Sequence, residues 1–213
     1  MHRYVPAARP RPSAAGGAGA RLPMPYQVWL LLGYGFVSGA ALQATIVHLP
    51  LFAFQQVSFS VAAAGLIVAL LGGVGLIARV VWGRATEGNP DPLQALVWIG
   101  LGGATATCLF VAAAQWQMAW LVWSGTALTG ATTVAGTVVV MTAAVRVVPA
   151  GSIGAASGVL AVGQYGGFAL GPVSFGVAVE AAGYTWAWVV VAVVHAAAAA
   201  LVAASRFTTR ATR

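Results

Sequence analysis

The chain has 213 residues, of which 60% are hydrophobic and only 6% are charged. A soluble domain carries about 25% charged residues, so this composition excludes an ordinary water-exposed globular surface. The formal net charge is +7, but the arginines are scattered at the ends of apolar segments. They do not form a basic stripe with aromatic residues, which argues against nucleic-acid binding.

The first segment, residues 1–25, is basic and has no apolar core of its own. It contains four arginines among proline, alanine and glycine, which predicts a disordered tail. A basic region before an apolar run also begins a cleavable signal peptide. Here the apolar run is too long and further apolar segments follow, so we do not expect cleavage.

Beyond the tail, long tracts contain no Asp, Glu, Lys or Arg. A transmembrane helix needs about 20 apolar residues to cross roughly 30 Å of hydrocarbon. The first two tracts are long enough for two crossings each, and the last two fit one crossing each. The sequence therefore predicts an all-α membrane protein with six transmembrane helices. The tracts lie between Arg21 and Arg79, Asp91 and Arg146, Arg146 and Glu180, and Glu180 and Arg206.

The predicted spans fill a transmembrane domain at residues 26–205, and residues 206–213 form a second cytoplasmic tail. The longest polar connection is Gly83–Pro92, which contains two prolines. Short turns at Gln55–Ser60 and Gln115–Gln117 separate other spans. The six predicted spans are Val28–Leu51, Val61–Trp82, Leu93–Ala114, Met118–Val145, Ile153–Val179 and Thr185–Ala204.

All ten arginines fall on one face of this six-span arrangement. They lie in the two tails, around the connection after the second span, and at Arg146 after the fourth, whereas the three opposite turns carry none. Cytoplasmic connections are enriched in basic residues. We therefore expect a multi-pass protein of the inner (plasma) membrane with both termini in the cytoplasm. Trp116, Trp186 and Trp188 lie at the opposite boundary, where amphipathic rings are favoured.

Polar side chains fall on one face of the first, fourth and fifth spans at 100° per residue. Because polar groups avoid lipid, each stripe should face other helices or a wet cavity. Both roles stay open, since Ser and Thr serve each at roughly 1 kcal/mol per contact. The stripes continue to Thr137, Ser157 and Phe168. The candidates to line a substrate cavity are Tyr34, Ser38, Thr45, His48, Thr126, Thr129, Thr133 and Gln164.

Glycines recur at every fourth position of the fifth span, at Gly163, Gly167 and Gly171. Small residues at this spacing let two helix backbones approach closely, which predicts a tight helix contact. Pro172 is expected to kink or loosen the helix, because proline removes a backbone donor and clashes with the preceding turn. The second span has a weaker version of the pattern, with the same interpretation, at Gly65, Ala69 and Gly73.

Titratable groups are rare inside the spans, where His48 and His195 are the candidates. A proton relay usually needs an embedded carboxylate or histidine, so any proton coupling would rest on these two residues or on a partner. The single cysteine, Cys108, excludes an intramolecular disulfide and lacks the neighbours of a metal site. We therefore expect no metal and no cofactor.

An enzymatic activity is not expected, although one alternative has to be weighed. Ser157, together with His195, could indicate an intramembrane serine protease, a class that also has six spans. Such enzymes hold the serine at depth, whereas Ser157 lies near the cytoplasmic start of its helix and His195 lies at about mid-depth. A nucleophile and its base must come within hydrogen-bond reach, so the protease is a minor alternative.

Two stretches resemble the major facilitator superfamily of transporters. Residues 75–87, GLIARVVWGRATE, resemble its cytoplasmic loop signature, in which an arginine, a glycine and an acidic residue precede basic residues. Residues 149–158, PAGSIGAASG, continuing to Gly171–Pro172 and to GYTW at 183–186, resemble its eleventh helix and the following turn. In the first stretch the acidic residue stands one place late and the basic cluster is missing. The positions that match the loop signature are Arg79, Gly83, Arg84 and Glu87.

The resemblance covers about residues 26–205 and corresponds to the C-terminal half of the fold, two three-helix inverted repeats. Residues 1–25 then resemble the linker between halves. It implies a secondary transporter for a small solute, in which one half rocks against the other. The chain is therefore expected to be truncated or split and to need an N-terminal half or a second copy. Without a deep charge, the stripes suit an uncharged or weakly polar solute. A non-transporting membrane scaffold or inactive fragment is the alternative.

Overall fold

The computed structural model describes residues 24–87 and 91–211, so most of the predicted N-terminal tail lies outside the described residues. These two ranges form helices and no strand. Within these ranges, five helices are long and apolar enough to cross a membrane, which confirms an all-α, multi-pass membrane architecture. They are α1 (Tyr26–Gln56), α2 (Val61–Glu87), α3 (Pro92–Trp116), α4 (Ala119–Val147) and α5 (Ile153–Ala211).

The two ends of α3 show how local chemistry sets a helix boundary. The Asp91 carboxylate accepts a hydrogen bond from the Leu93 N–H at 3.1 Å, which satisfies one of the free donors of the first turn. Pro92 occupies the first helical position, where its missing N–H costs nothing. At the other end Gln117 adopts a left-handed conformation with φ of 52°, and its N–H donates to the Ala113 carbonyl.

The predicted polar loop Gly83–Pro92 is helical over its first half. Helix α2 continues to Glu87 instead of ending at Trp82. Arg146, at the end of α4, donates from Nη2 to the carbonyl oxygens of Thr86 at 2.6 Å and Glu87 at 3.3 Å. Carbonyls in the last turn of a helix have no partner within the helix, and a cation there is favourable. This contact explains the extra turn.

Helix α5 is two helical arms joined at Gly183. The backbone there has φ of 80° and ψ of 170°, a conformation that glycine reaches without steric cost. The ring centroids of Phe175 and Trp188 lie 4.6 Å apart, although 13 residues of straight helix would separate them by about 20 Å. The arms therefore fold back on each other. The backbone stays helical at Pro172, so the break in α5 is not at the proline.

Helix α1 packs against the first arm of α5 along the glycine face. A Cβ at Gly167 would overlap the Phe36 carbonyl oxygen, and a Cβ at Gly171 would overlap that of Ala40. At Gly163 it would lie 2.9 Å from Leu32 Cγ. The two backbones thus approach more closely than any residue with a side chain would permit.

The glycine pattern of α2 has a different outcome, and the prediction of tight packing there is wrong. No atom lies within 4 Å of a Cβ built on Gly65 or Gly73, and both residues are exposed. The face that α2 turns inward carries the larger residues Ile67 and Leu71. Spacing shows which residues share a face, but it does not show which face is buried.

A π-helical turn, Gly130–Val134, interrupts α4 near its middle. Such a turn forms i→i+5 hydrogen bonds and is often found at functional sites. Glycines of the neighbouring helices make room for it: a Cβ on Gly75 would lie 2.6 Å from Val134. The indole Nε1 of Trp82 donates to the Ala131 carbonyl at 2.8 Å. This turn is thereby fixed between α2 and α3.

Candidate functional site

A cleft of about 460 Å³ lies between α2, α4 and the first arm of α5, and it is open on one side. Its wall combines polar side chains with aliphatic and aromatic ones, unlike the apolar surface that α2 and α5 expose elsewhere. A concave site with a few convergent polar groups is the usual form of a ligand pocket. The side chains that give it chemical character are Arg79, Thr137, Thr142, Gln164, Tyr165 and Phe168.

Gln164 is the predicted cavity residue that lines this cleft. Only 9% of its surface is exposed, and its amide has no hydrogen bond to another residue of the described ranges. The hydroxyl protons of Thr137 and Thr142 are donated to carbonyls one turn back, at 3.1 and 3.0 Å. Their oxygens can therefore accept from a ligand. An amide and two acceptor oxygens thus face one space.

Arg79 reaches the same cleft from α2. It belongs to the predicted loop motif at the end of the second span, and it lies within α2, two turns before Glu87. It is exposed, and no hydrogen bond or ion pair joins it to another residue within the part of the chain that the structure describes. The motif residues Gly83 and Arg84 lie on the last turns of α2 and do not line the cleft.

Most of the other predicted cavity residues lie inside the helix bundle. The Tyr34 hydroxyl donates to the Leu96 carbonyl at 3.0 Å and is buried against α3. A buried hydroxyl that already donates a hydrogen bond and does not line the cleft contributes to packing. Ser38 is half-buried, and it does not line the cleft. The buried threonines that bond one turn back within their own helix are Thr45, Thr126 and Thr129.

His48 joins α1 to the first arm of α5. Its Nε2 lies 3.0 Å from the Pro172 carbonyl oxygen, and its ring centroid lies 4.8 Å from that of Phe175. Because a carbonyl only accepts, Nε2 carries the proton in this contact. The residue is half-buried and lies outside the cleft. Its contacts are those of a packing residue between the two helices.

A second polar cluster is fully enclosed between α3, the π-helical turn and the second arm of α5. His195 Nδ1 donates to the Val191 carbonyl at 3.0 Å, so the neutral ring presents an unprotonated Nε2. His195 Nε2 and Thr133 Oγ1 are both buried without a hydrogen-bond partner. Each lies 2.9 Å from the position of a Cβ on Gly103. The missing side chain of Gly103 makes room for both.

Ser157 and His195 do not form the hydrogen-bonded pair that a serine protease needs. His195 has no partner at Nε2 and its Nδ1 is bonded to a carbonyl, so Ser157 is not hydrogen-bonded to it. No group of three or more histidine, cysteine or carboxylate side chains that could hold a metal is found in the described ranges. The free thiol of Cys108 is exposed on α3.

Two contacts at the arginine-rich end tie helices together. Arg146 caps α2 as described above, and Arg206 Nε lies 2.8 Å from Asp91 Oδ2. The second contact links the end of α5 to the start of α3. Both contacts place an arginine beside a carbonyl or carboxylate at the end of a neighbouring helix, so guanidinium groups join the helices at this end of the bundle.

Three cleft residues were missed as site residues by sequence reasoning. Arg79 was assigned to the loop motif, and Thr142 was not singled out. Tyr165 was overlooked because the neighbouring glycines were interpreted as a packing pattern. A signal existed for the arginine, because the predicted second span, Val61–Trp82, already contained it. No family model matches this chain, and no curated protein matches it in sequence.

Proposed function

We propose that the chain is one six-helix half of a secondary active transporter of the major facilitator type, and that it moves a small solute through the open cleft. The observation that carries the proposal is the cleft itself, whose polar groups come from three different helices. Polar and ionisable residues in a membrane segment are expensive and mark solute pathways. Polar groups from several helices that line one open space favour a solute pathway over a scaffold.

The reversal at Gly183 supports six crossings. A straight helix of 59 residues would be about 90 Å long, three times the thickness of the hydrocarbon core. With the two folded-back arms of α5 counted separately, the proposed arrangement has six spans in two groups of three. The N-terminal and C-terminal ends of this domain then lie on one side of the membrane, as the arrangement of arginines predicts.

The arginine-rich end is proposed to face the cytoplasm of the inner membrane. The contacts of Arg146 and Arg206 bring together the ends of α2, α4 and α5 with the start of α3. Basic residues collect on the cytoplasmic side. Single cysteines in place of Ser58 and Ser152, in a Cys108→Ser background, test this. An impermeant thiol reagent added outside whole cells should label position 58 alone; labelling of position 152 alone would reverse the orientation.

The open side of the cleft supports the need for a second half. Alternating access moves one bundle against another around a site near the middle of the membrane, and one wall alone cannot occlude a solute. The second wall is an N-terminal half of the same kind, or a second copy of this chain. The protein therefore acts with the lipid bilayer, a small solute and this second half as its partners.

Flux through the cleft is tested in proteoliposomes loaded with a cell metabolite extract. Vesicles containing the chain together with its second half should release specific solutes, and Gln164→Leu should abolish that release. Val162→Leu is the matched control, because Val162 is exposed on the same helix and outside the cleft. Release of no solute under any pairing would leave a non-transporting scaffold or inactive fragment as the better conclusion.

A further inference from the structure

We propose that the cleft binds a small organic anion, with Arg79 as its charge partner. This deepens the proposed function, because it names the class of solute that the same cleft would take. It also replaces the expectation of an uncharged solute, which followed from the apparent absence of charge in the stripes. That expectation considered only the stripes of the first, fourth and fifth spans, whereas Arg79 lies on the second.

The charge balance of the cleft points to an anion. The whole chain has three acidic residues, and none of them lines the cleft. Asp91 is bonded to Arg206, Glu87 lies two turns further along α2, and Glu180 is exposed near the far end of the first arm of α5. A guanidinium within a membrane segment is stabilised by a counter-charge, by backbone carbonyls or by water at the interface. The lining residues supply no counter-charge, which leaves that role to an anionic ligand.

The remaining groups fit a carboxylate better than a bare inorganic ion. A guanidinium binds a carboxylate through two parallel hydrogen bonds, and the free amide of Gln164 can donate to the same ligand. The oxygens of Thr137 and Thr142 accept hydrogen bonds, which suits a hydroxyl or amino substituent. Tyr165 and Phe168 form an edge-to-face pair with centroids 5.6 Å apart, which can cover an apolar body.

The same chemistry could be satisfied by the headgroup of an anionic lipid, because the cleft is open on one side. A dissolved anion and a lipid headgroup both offer an oxyanion to the guanidinium. They differ in where they come from, so the experiment needs one arm for each. Binding requires only this chain, whereas flux requires the second half. Failure of the anion proposal is therefore distinguishable from failure of the transporter proposal.

The first arm measures binding of radiolabelled benzoate to the purified full chain in detergent. Benzoate should bind saturably, and the neutral isostere benzamide should not compete. Arg79→Gln should weaken binding by at least about tenfold, and Arg79→Lys should retain part of it. Arg84→Gln is the matched control, because Arg84 is exposed on the same helix and outside the cleft.

The second arm counts phosphatidylglycerol molecules retained by the chain in native mass spectra, after reconstitution with and without that lipid. Retention that is lost in Arg79→Gln and kept in Arg84→Gln, without benzoate binding, would assign the anion site to a lipid headgroup. Equal competition by benzamide, or binding of both probes that survives Arg79→Gln, would overturn the proposal. Absence of both benzoate binding and phosphatidylglycerol retention would also overturn it. The comparison of benzoate with benzamide uses the unmodified chain and does not depend on a variant folding.

Discussion

A single methyl group at Gly167 should measurably weaken the fold. An alanine Cβ there would lie 2.9 Å from Ala40 N and would overlap the Phe36 carbonyl oxygen, whereas ordinary contacts lie at about 3.5–4.0 Å. Helix α1 and the first arm of α5 would have to separate by roughly 1 Å, and the contacts along their seam would loosen together. Overpacking of this kind costs about 1–3 kcal/mol.

The matched control for Gly167→Ala is the neighbouring Gly166→Ala. A Cβ at Gly166 would lie 3.5 Å from the Phe36 ring, which is ordinary contact. Both variants gain the same helix propensity, so the difference between them isolates the close approach. The free energy of unfolding is measured by SDS titration in detergent micelles with circular dichroism. Equal stability of the two variants would refute the argument that the backbones touch at Gly167.

Three further changes test contacts inside the bundle by the same unfolding assay. Arg146→Gln should lower stability by up to about 1 kcal/mol, because the last carbonyls of α2 lose their cation; an unchanged midpoint would show that water replaces it. Trp82→Phe should cost about 1–3 kcal/mol, since it leaves the Ala131 carbonyl without its donor; a neutral result would contradict this bond. Thr133→Val should raise stability slightly, because a buried hydroxyl without a partner is unfavourable; a loss would show that Thr133 has a partner, such as water shared with His195.

The helices could be predicted from the long tracts without charged residues and from the glycines and prolines between them, because a membrane restricts which backbone structures can form. Lipid offers the backbone no hydrogen-bond partners, so an apolar stretch of sufficient length has to be helical. The start of α2 at Val61 and that of α5 at Ile153 agree with prediction. The end of α2 does not, because it depends on a guanidinium from Arg146 that lies 59 residues further along the chain.

The cleft could be predicted only in part. Gln164 was found because an amide is conspicuous in an apolar helix, and its side chain does line the cleft. Tyr34 stood out in the same way, yet its hydroxyl reaches the Leu96 carbonyl on α3. A pattern on one helix cannot tell a polar group that meets a neighbouring helix from one that meets a solute. That distinction depends on how the helices pack.

The π-helical turn changes what the threonines of α4 mean. Each extra residue inserted into an α-helix rotates everything beyond it by 100°, so residues before and after Gly130–Val134 do not share one continuous face. Thr126 and Thr129, before the turn, are buried, and Thr137, after it, lines the cleft. The side chains before and after the turn therefore point in different directions around the same helix axis. Removing one residue from the turn would rotate the segment that follows it, so Thr137 would leave the cleft and the buried face around Val139 and Ala143 would turn with it.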